Sequence, residues 1–416
     1  MNKEDNSRTP RIRFPGFTGE WEEKKLKEVA TKMNRRNSHL EINRVLTNSA
    51  NTGVIDQNDY FDRSIATKDN TTNYHIVEVE DFVYNPRIST AAPVGPISIN
   101  KIGKGIMSPL YTVFKFLIGY IPYYEQYFQT TIWHSYLKGI ANYGARFDRM
   151  NITSEDFFNM PLLLPSLAEQ KKIAACLSEM DALITAQGQK VEALKEMKKS
   201  LMQQLFPQQG ETIPRLRFPG FTGKWEEKKL SDVFTRLTEK NAGNNKNVLT
   251  ISAQYGLISQ LDFFKKSVSA SDVTGYYLLH KGDFAYNKSS SQGKPVGAIK
   301  YLKQYDKGVV STLYICFRCK EPKSIGYWEQ YFDSGVFDNE IMTIAQEGAR
   351  NHGLLNVPTN DFFTLKVKMP NQDEQQRIAE CLSALDDCIT AETAKLNSLK
   401  NQKKGLMQQL FPQQNR

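Results

Sequence analysis

Phe14-Pro15-Gly16-Phe17-Thr18-Gly19-Glu20-Trp21-Glu22-Glu23-Lys24-Lys25-Leu26 returns as Phe218-Pro219-Gly220-Phe221-Thr222-Gly223-Lys224-Trp225-Glu226-Glu227-Lys228-Lys229-Leu230, at an offset of 204. A second stretch behaves the same way. Leu201-Met202-Gln203-Gln204-Leu205-Phe206-Pro207 recurs as Leu406-Met407-Gln408-Gln409-Leu410-Phe411-Pro412, at an offset of 205. Between these ends the copies diverge, yet landmarks stay in register. Asp81-Phe82-x-Tyr84-Asn85 faces Asp283-Phe284-x-Tyr286-Asn287, and Pro93-Val94-Gly95 faces Pro295-Val296-Gly297. Tyr124-Glu125-Gln126-Tyr127-Phe128 faces Trp328-Glu329-Gln330-Tyr331-Phe332, and Gly144-Ala145-Arg146 faces Gly348-Ala349-Arg350. A period near 200 residues marks a duplicated domain pair and not a solenoid. The two middles are expected to share one fold while differing in most side chains.

Each half divides in two. Residues 14–165 and 218–370 carry short β-branched and aromatic runs broken by Gly, Pro and Asn. Tyr74-His75-Ile76-Val77-Glu78-Val79 and Val309-Val310-Ser311-Thr312-Leu313-Tyr314-Ile315 are examples, and they read as strands within mixed α/β (α+β) domains. Tyr123–Gly139 and Tyr327–Phe337 read as helical in parts. Residues 1–13 form an N-terminal tail and 208–217 a linker.

The period changes in 166–207 and 371–412. Ser166-Leu167-Ala168-Glu169 and Asn371-Gln372-Asp373-Glu374 each place a capping residue three positions before a Glu, a helix-start signature. Ile173, Leu177, Met180, Ile184, Val191, Leu194, Leu201 and Leu205 then follow a heptad-like spacing. Ile378, Leu382, Leu385, Ile389, Leu396, Leu399, Leu406 and Leu410 repeat it. Even the polar interruptions correspond: Gln187 with Glu392, and Lys198 with Lys403. Each segment stops at Phe-Pro, and Gly188 is a point where the first helix could soften. A continuous helix from Ile173 to Leu205 would be about 50 Å long. Matching seams predict that the two helices pack antiparallel as a coiled coil. The alternative is that each packs back on its own domain.

Composition narrows the function. Hydrophobic residues are 40% and charged residues 24%, a globular balance. Neither a membrane-length apolar stretch nor a secretory leader is visible, so a cytoplasmic protein is expected. Five cysteines are too few for a disulfide framework. Cys316 and Cys319 form a C-x-x-C inside an alternating run, which favours strand packing over metal binding. The net charge is +9. Residues 166–205 carry six Lys against five acidic residues, and 371–410 carry five basic against six acidic. The helices therefore cancel, and the excess lies in the globular parts and linkers, as a phosphate-binding clamp would require. Ordinary surface solvation would also accommodate it.

No phosphate-cradling Gly-rich loop, nucleophile elbow or H-E-x-x-H motif is present, and His39, His75, His134, His280 and His352 are scattered. The chain is expected to bind and not to catalyse, with no metal and no cofactor of its own. Groups suited to reading bases follow a strand in each half. They are Asn85, Arg87, Ser89 and Thr90 in the first copy. In the second they are Asn287, Lys288, Ser289, Ser290, Ser291, Gln292 and Lys294. Their divergence fits two different targets, although a flexible loop would look similar. Arg146 and Arg350, common to both copies, suit phosphate positioning. Arg149, Asn351 and His352 are weaker candidates nearby.

Together these features resemble the specificity subunit of type I restriction–modification enzymes, similar to members from Gram-positive bacteria. The resemblance is carried by the duplication, by Glu169-Gln170-x-x-Ile173 and Glu374-Gln375-x-x-Ile378, by the Gly-Phe-x-Gly-x-Trp opening and by the closing Leu-Met-Gln-Gln-Leu-Phe-Pro. It implies two target recognition domains, each reading one half of a bipartite, asymmetric double-stranded DNA site. It implies that the helix pair is a ruler for the gap, with Ile173, Leu177, Met180, Ile184, Ile378, Leu382, Leu385 and Ile389 at the seam. Two methyltransferase subunits would bring S-adenosylmethionine and methylate adenine, docking along the helices. Restriction subunits would supply ATP- and Mg-dependent translocation and cleavage. A scaffold carrying two protein-binding modules, or a system with methylation alone, would share the same layout.

Overall fold

The computed structural model describes residues 8–60, 71–141, 148–252, 256–264, 272–290, 293–347, 353 and 355–412. The chain forms two compact units, and neither coincides with a half of the sequence. One comprises residues 1–187 with 395–416, and the other residues 188–394.

In the first unit a four-stranded sheet runs in the order Ala30–Lys32, Thr112–Phe116, Phe82–Tyr84, Ile97–Ile99, all antiparallel. Alternation along these strands decides what each face buries. Phe82, Tyr84, Phe114 and Phe116 point into a large aromatic core shared with the helix Ile121–Phe128. Val83 and Val113 point the other way, into a smaller core with Leu46, Val54, Val77 and Met107. The strand Glu22–Lys25 pairs with Pro161–Leu164, so the domain begins and ends side by side.

The second unit repeats this plan. Its sheet runs Phe234–Leu237, Ile315–Cys319, Phe284–Asn287, Ala298–Tyr301. Phe284, Tyr286, Ile315 and Phe317 face the aromatic core with the helix Ile325–Asp333. Ala285 and Cys316 face the smaller one. All pairings between named strands are antiparallel, which places the domains in the α+β class. The run Val309–Ile315 is not one strand. A turn closed by Tyr314 N–H to the Ser311 carbonyl separates Lys307–Val310 from Ile315–Cys319. Cys316 stands where the first copy has Val113, and burial pushes its thiol pKa up to about 12. Among the described residues no cluster of His, Cys, Asp or Glu could hold a metal ion.

The long helices are Leu167–Leu205 and Gln372–Leu410, each 39 residues. Gly188 does not interrupt the first. The predicted caps are made: Ser166 Oγ accepts from Glu169 N–H at 3.3 Å, and Asn371 Oδ1 from Glu374 N–H at 2.9 Å. The Glu side chains, however, do not turn back to complete a capping box. Glu169 is gripped by Arg13 through two 2.7 Å bonds, and Glu374 by Arg217 in the same way. These residues clamp the helix start to the segment before the Trp-containing turn.

Both predicted packings of the helices occur together. In the first unit Ile173, Ala174 and Leu177 enter the core of their own domain, where Met407, Leu410 and Phe411 of the second helix join them. In the second unit Ile378 and Leu382 do so with Met202, Leu205 and Phe206. In each unit the N-terminal half of one helix thus packs antiparallel on the C-terminal half of the other. Among the described residues no helix is long and apolar enough to cross a membrane.

Candidate nucleic-acid interface

The fold brings distant recognition candidates together. In the first unit, Arg87 and Arg149 form an antiparallel bridge. Ile88 N–H donates to the Asp148 carbonyl at 3.0 Å, and Met150 N–H to the Pro86 carbonyl at 3.0 Å. In the second unit Ser290 N–H reaches the Gly353 carbonyl at 2.7 Å, and Leu355 N–H the Lys288 carbonyl at 3.1 Å. Segments some 60 residues apart therefore form one surface in each domain. Arg146, Gln292, Arg350, Asn351 and His352, with Ser291, lie outside the described residues.

Within that surface the candidates separate by role. Asn85 is buried; its Nδ2 donates to the Asn48 carbonyl at 2.9 Å and its Oδ1 accepts from Arg87 N–H at 3.1 Å. Asn287 Oδ1 accepts from Ser289 N–H at the same distance. The shared Asn thus folds an Asx turn in both copies and shapes the loop. Arg87, Ser89 and Thr90 are exposed, as are Ser289 and Ser290, while Asn287, Lys288 and Lys294 are half-buried. Ser89 Oγ accepts from Ala92 N–H at 3.1 Å. Arg149 is half-buried beside Asp148, 3.7 Å away. Burial raises the Asp338 carboxyl pKa, and the neighbouring Lys294 opposes that shift.

The Pro-Val-Gly landmark supports the same turn from behind. Tyr84 Oη donates to the Val94 carbonyl at 3.0 Å, and Tyr286 Oη to the Val296 carbonyl at 2.7 Å. A Cβ on Gly95 would stand 2.0 Å from the Asn85 carbonyl oxygen, and one on Gly297 2.1 Å from that of Asn287. Both glycines have φ near +80°, which an L side chain resists. The scaffold beneath the loop is common to both copies, and the exposed side chains on it differ.

A cleft of about 630 Å³ adjoins the loop in the first unit. Ala91 and Ala92 form one wall, the hairpin tip Asn51–Thr52 another, and Gln129, Thr131 and His134 the third. Burial, with repulsion from Lys138, lowers the His134 pKa to about 4, so this imidazole is neutral at physiological pH. The lining offers hydrogen-bond donors and acceptors.

A family model described as the type I restriction modification DNA specificity domain matches residues 18–196 and again 222–401. The chain belongs to the type I restriction–modification DNA specificity family. Its specificity domains are similar to the type I restriction enzyme MjaVIII specificity subunit of Methanocaldococcus jannaschii, with 25% identity over 284 residues. That match spans 63% of this chain and 63% of the relative, so less than two thirds of the relative's length is covered. Two solved structures share the fold over 97% of this chain and 99% of theirs. One is the type I restriction–modification S subunit from M. genitalium, at TM-score 0.54 and 11% identity. The other comes from work on complex assembly and conformational transition of the type I R-M system, at TM-score 0.55 and 13% identity.

Of the seam residues, Ile173, Leu177, Ile378 and Leu382 are fully buried, and Met180, Ile184, Leu385 and Ile389 are half-buried. Two sets of polar residues escaped sequence reasoning. The first is the pair of Arg–Glu clamps. The second joins Gln126, Asp181 and Lys403 in one unit, and Gln330, Asp386 and Lys198 in the other. The signal was present: Gln126 and Gln330 share a landmark, and the lysines interrupt the heptads at matching places.

Proposed function

We propose that this chain is the DNA-binding specificity subunit of a type I restriction–modification complex. Each globular domain reads one half of a bipartite, asymmetric site in double-stranded DNA, and the helix pair sets the gap between the halves. The observation that carries this reading is the duplicated loop surface. The same Asx turn and glycine-backed support recur in two DNA specificity domains, while the exposed side chains are Arg87 and Ser89 in one and Ser289 and Ser290 in the other. A shared scaffold with divergent readers is what two unlike half-sites require. Arg87, Arg149, Lys288 and Lys294 would supply cations that meet DNA, and the sequence adds Arg146, Gln292, Arg350, Asn351 and His352 as further candidates.

The chain itself holds no cofactor in this reading. Two methyltransferase subunits dock on the helices and supply S-adenosylmethionine for adenine methylation, and restriction subunits supply ATP- and Mg-dependent cleavage in the cytoplasm. Methylation requires the partner to flip the target adenine from the stack. The test is single-molecule mapping of adenine methylation in the source genome, with and without the gene. Loss of methylation at one split motif on deletion is the expected result. An unchanged map, in cells where the methyltransferase is expressed, would overturn the proposal.

A further inference from the structure

The four-stranded sheet of each unit ends on one side in an edge strand, Ile97–Ile99 in the first and Ala298–Tyr301 in the second. In the first unit Asn85 N–H donates to the Pro96 carbonyl at 3.0 Å and Asn100 N–H to the Asp81 carbonyl at 2.8 Å. With Ser98 opposite Val83, alternation along this ladder turns the main chain of Ser98 towards the sheet and that of Ile97 and Ile99 outwards. Among the described residues, neither isoleucine has a hydrogen-bond partner for its outward N–H and C=O. Ile97, Ser98 and Ile99 line the cleft of about 630 Å³. On one side of the strand stands the hairpin, where a Cβ on Gly53 would lie 3.6 Å from Ser98 Cβ. On the other, Phe82, Phe128 and Trp133 supply an apolar floor.

The second unit closes the matching edge. Ser98 and Gln129 correspond to Lys300 and Asp333, at the offsets of 202 and 204 that the neighbouring landmarks keep. Lys300 Nζ reaches the two Asp333 carboxylate oxygens at 2.6 and 2.8 Å. Lys300 stands opposite Ala285, whose side chain faces the smaller core, and Asp333 ends the helix on the aromatic side. The ion pair therefore wraps around the edge. Ala92 and His134 correspond in the same way to Lys294 and Asp338, which attract each other. A lysine on an edge strand guards it against pairing with another chain. The first unit has neither lysine at these positions.

The chemistry of the cleft selects its occupant. Among the described residues, the lining's one lysine, Lys101, is bound to its one carboxylate, Glu125, at 2.6 Å, and the His134 imidazole is neutral. Such a neutral lining over an apolar floor suits neither the phosphates of DNA nor a charged peptide. The outward amide groups of Ile97 and Ile99, two residues or about 7 Å apart, match the ladder of an antiparallel strand. Residues directly opposite each other in such a ladder share a face. The walls on both sides leave room for a single extended chain, but not for the edge of a second copy, which carries the same walls. We propose that the open edge of the first unit docks an extended segment of a partner polypeptide as a fifth strand, with apolar side chains opposite Ile97 and Ile99 and a small one opposite Ser98.

The test uses the full chain and acetylated, amidated pentapeptides Thr-X-Ser-X-Thr, with X as Val, Ile or Leu, titrated to about 1 mM by calorimetry. Peptides with X as Lys or Glu serve as controls. At least one apolar peptide is expected to saturate where the controls do not. Methylating both X amides should abolish binding, and methylating the Ser amide, which faces away from the edge, should not. Ser98→Lys with Gln129→Asp installs the ion pair of the second unit and should weaken binding about tenfold or more. No saturation by any apolar peptide, indifference to methylation of X, or equal binding by a closed variant that thermal unfolding shows to be folded would each overturn the site. Should the closed variant not fold, the methylated peptides on the wild-type chain decide alone. A closed variant that loses adenine methylation in the complex, with no peptide bound by wild type, would assign the cleft to DNA. A wild-type dimer lost in the closed variant, again with no peptide bound, would assign it to a second copy. Either result overturns the proposal. Peptide binding is read without DNA, so failure of the specificity reading would leave this outcome unchanged.

Discussion

Asn85 and Arg87 sit two residues apart and do different work. Asn85 is tied to the backbone at both polar ends, so Asn85→Ala leaves the buried Asn48 carbonyl without its donor. Loss of about 1–3 kcal/mol of unfolding free energy is expected, read by denaturant melts. Arg87 is exposed, so Arg87→Ala should move stability by no more than about 0.5 kcal/mol. It should instead weaken methylation of targets through one half-site, read by the methylation map. His134 makes a pH prediction. Its folded pKa is held near 4, below its ordinary value, so between about 6.5 and 4 the unfolded chain takes up a proton that the folded chain refuses. The contribution is full above about 6.5 and is lost as pH falls through that window, and His134→Asn should flatten the loss. Sequence showed a polar stretch after a strand. It did not distinguish the Asn that builds the turn from the Arg that projects from it, because burial depends on Asn48, a residue distant in the chain.

At the level of elements, the long helices were the most legible part. Heptad spacing, capping residues and the Phe-Pro stop are local signals, and each corresponds to an observed boundary. The order of the four-stranded sheets was not legible, because Ala30–Lys32 pairs with Thr112–Phe116 across 80 residues and no local pattern records that. The role of the Glu in Glu169-Gln170 was also hidden. A capping box and an ion pair to Arg13 share the same residue type at the same place. Glu169 is 1% exposed, so Arg13→Ala strands a buried carboxylate. A loss of about 3 kcal/mol or more is expected in thermal unfolding, and Arg217→Ala should act alike on the second unit. Gly95→Ala is expected to be worse for the first domain than most single substitutions. The new methyl would meet a backbone carbonyl that is itself held in the Asx turn.

For the whole molecule, the duplication in the sequence correctly announced two similar bodies. The partition between them was not announced, because each unit borrows its last turns of helix from the far copy. Replacing residues 14–165 with a different recognition domain is expected to change one half of the methylated motif and leave the other intact. A change in both halves would contradict the modular reading. Phe411 belongs to the first unit's core, with its ring centroid 5.7 Å from Tyr123, 6.0 Å from Tyr127 and 6.3 Å from Trp21. Its counterpart Phe206 lies 5.7 Å from Tyr327 and Tyr331 in the second. Phe411→Ala should cost about 3–5 kcal/mol in the unit that contains Trp21 and little in the other.

That partition sets a timetable for synthesis. A ribosome emits the amino end first, but the first unit lacks Phe411 and the helix turns around it until residues 395–416 have left the exit tunnel. The second unit is one unbroken stretch, 188–394, and can close earlier. The part of the polypeptide made first is therefore the last to acquire its complete interior. A nascent chain stalled through a C-terminal extension, with residues up to 394 outside the tunnel and 395–416 still inside it, should be protease-resistant in its later-made portion and sensitive in its earlier one.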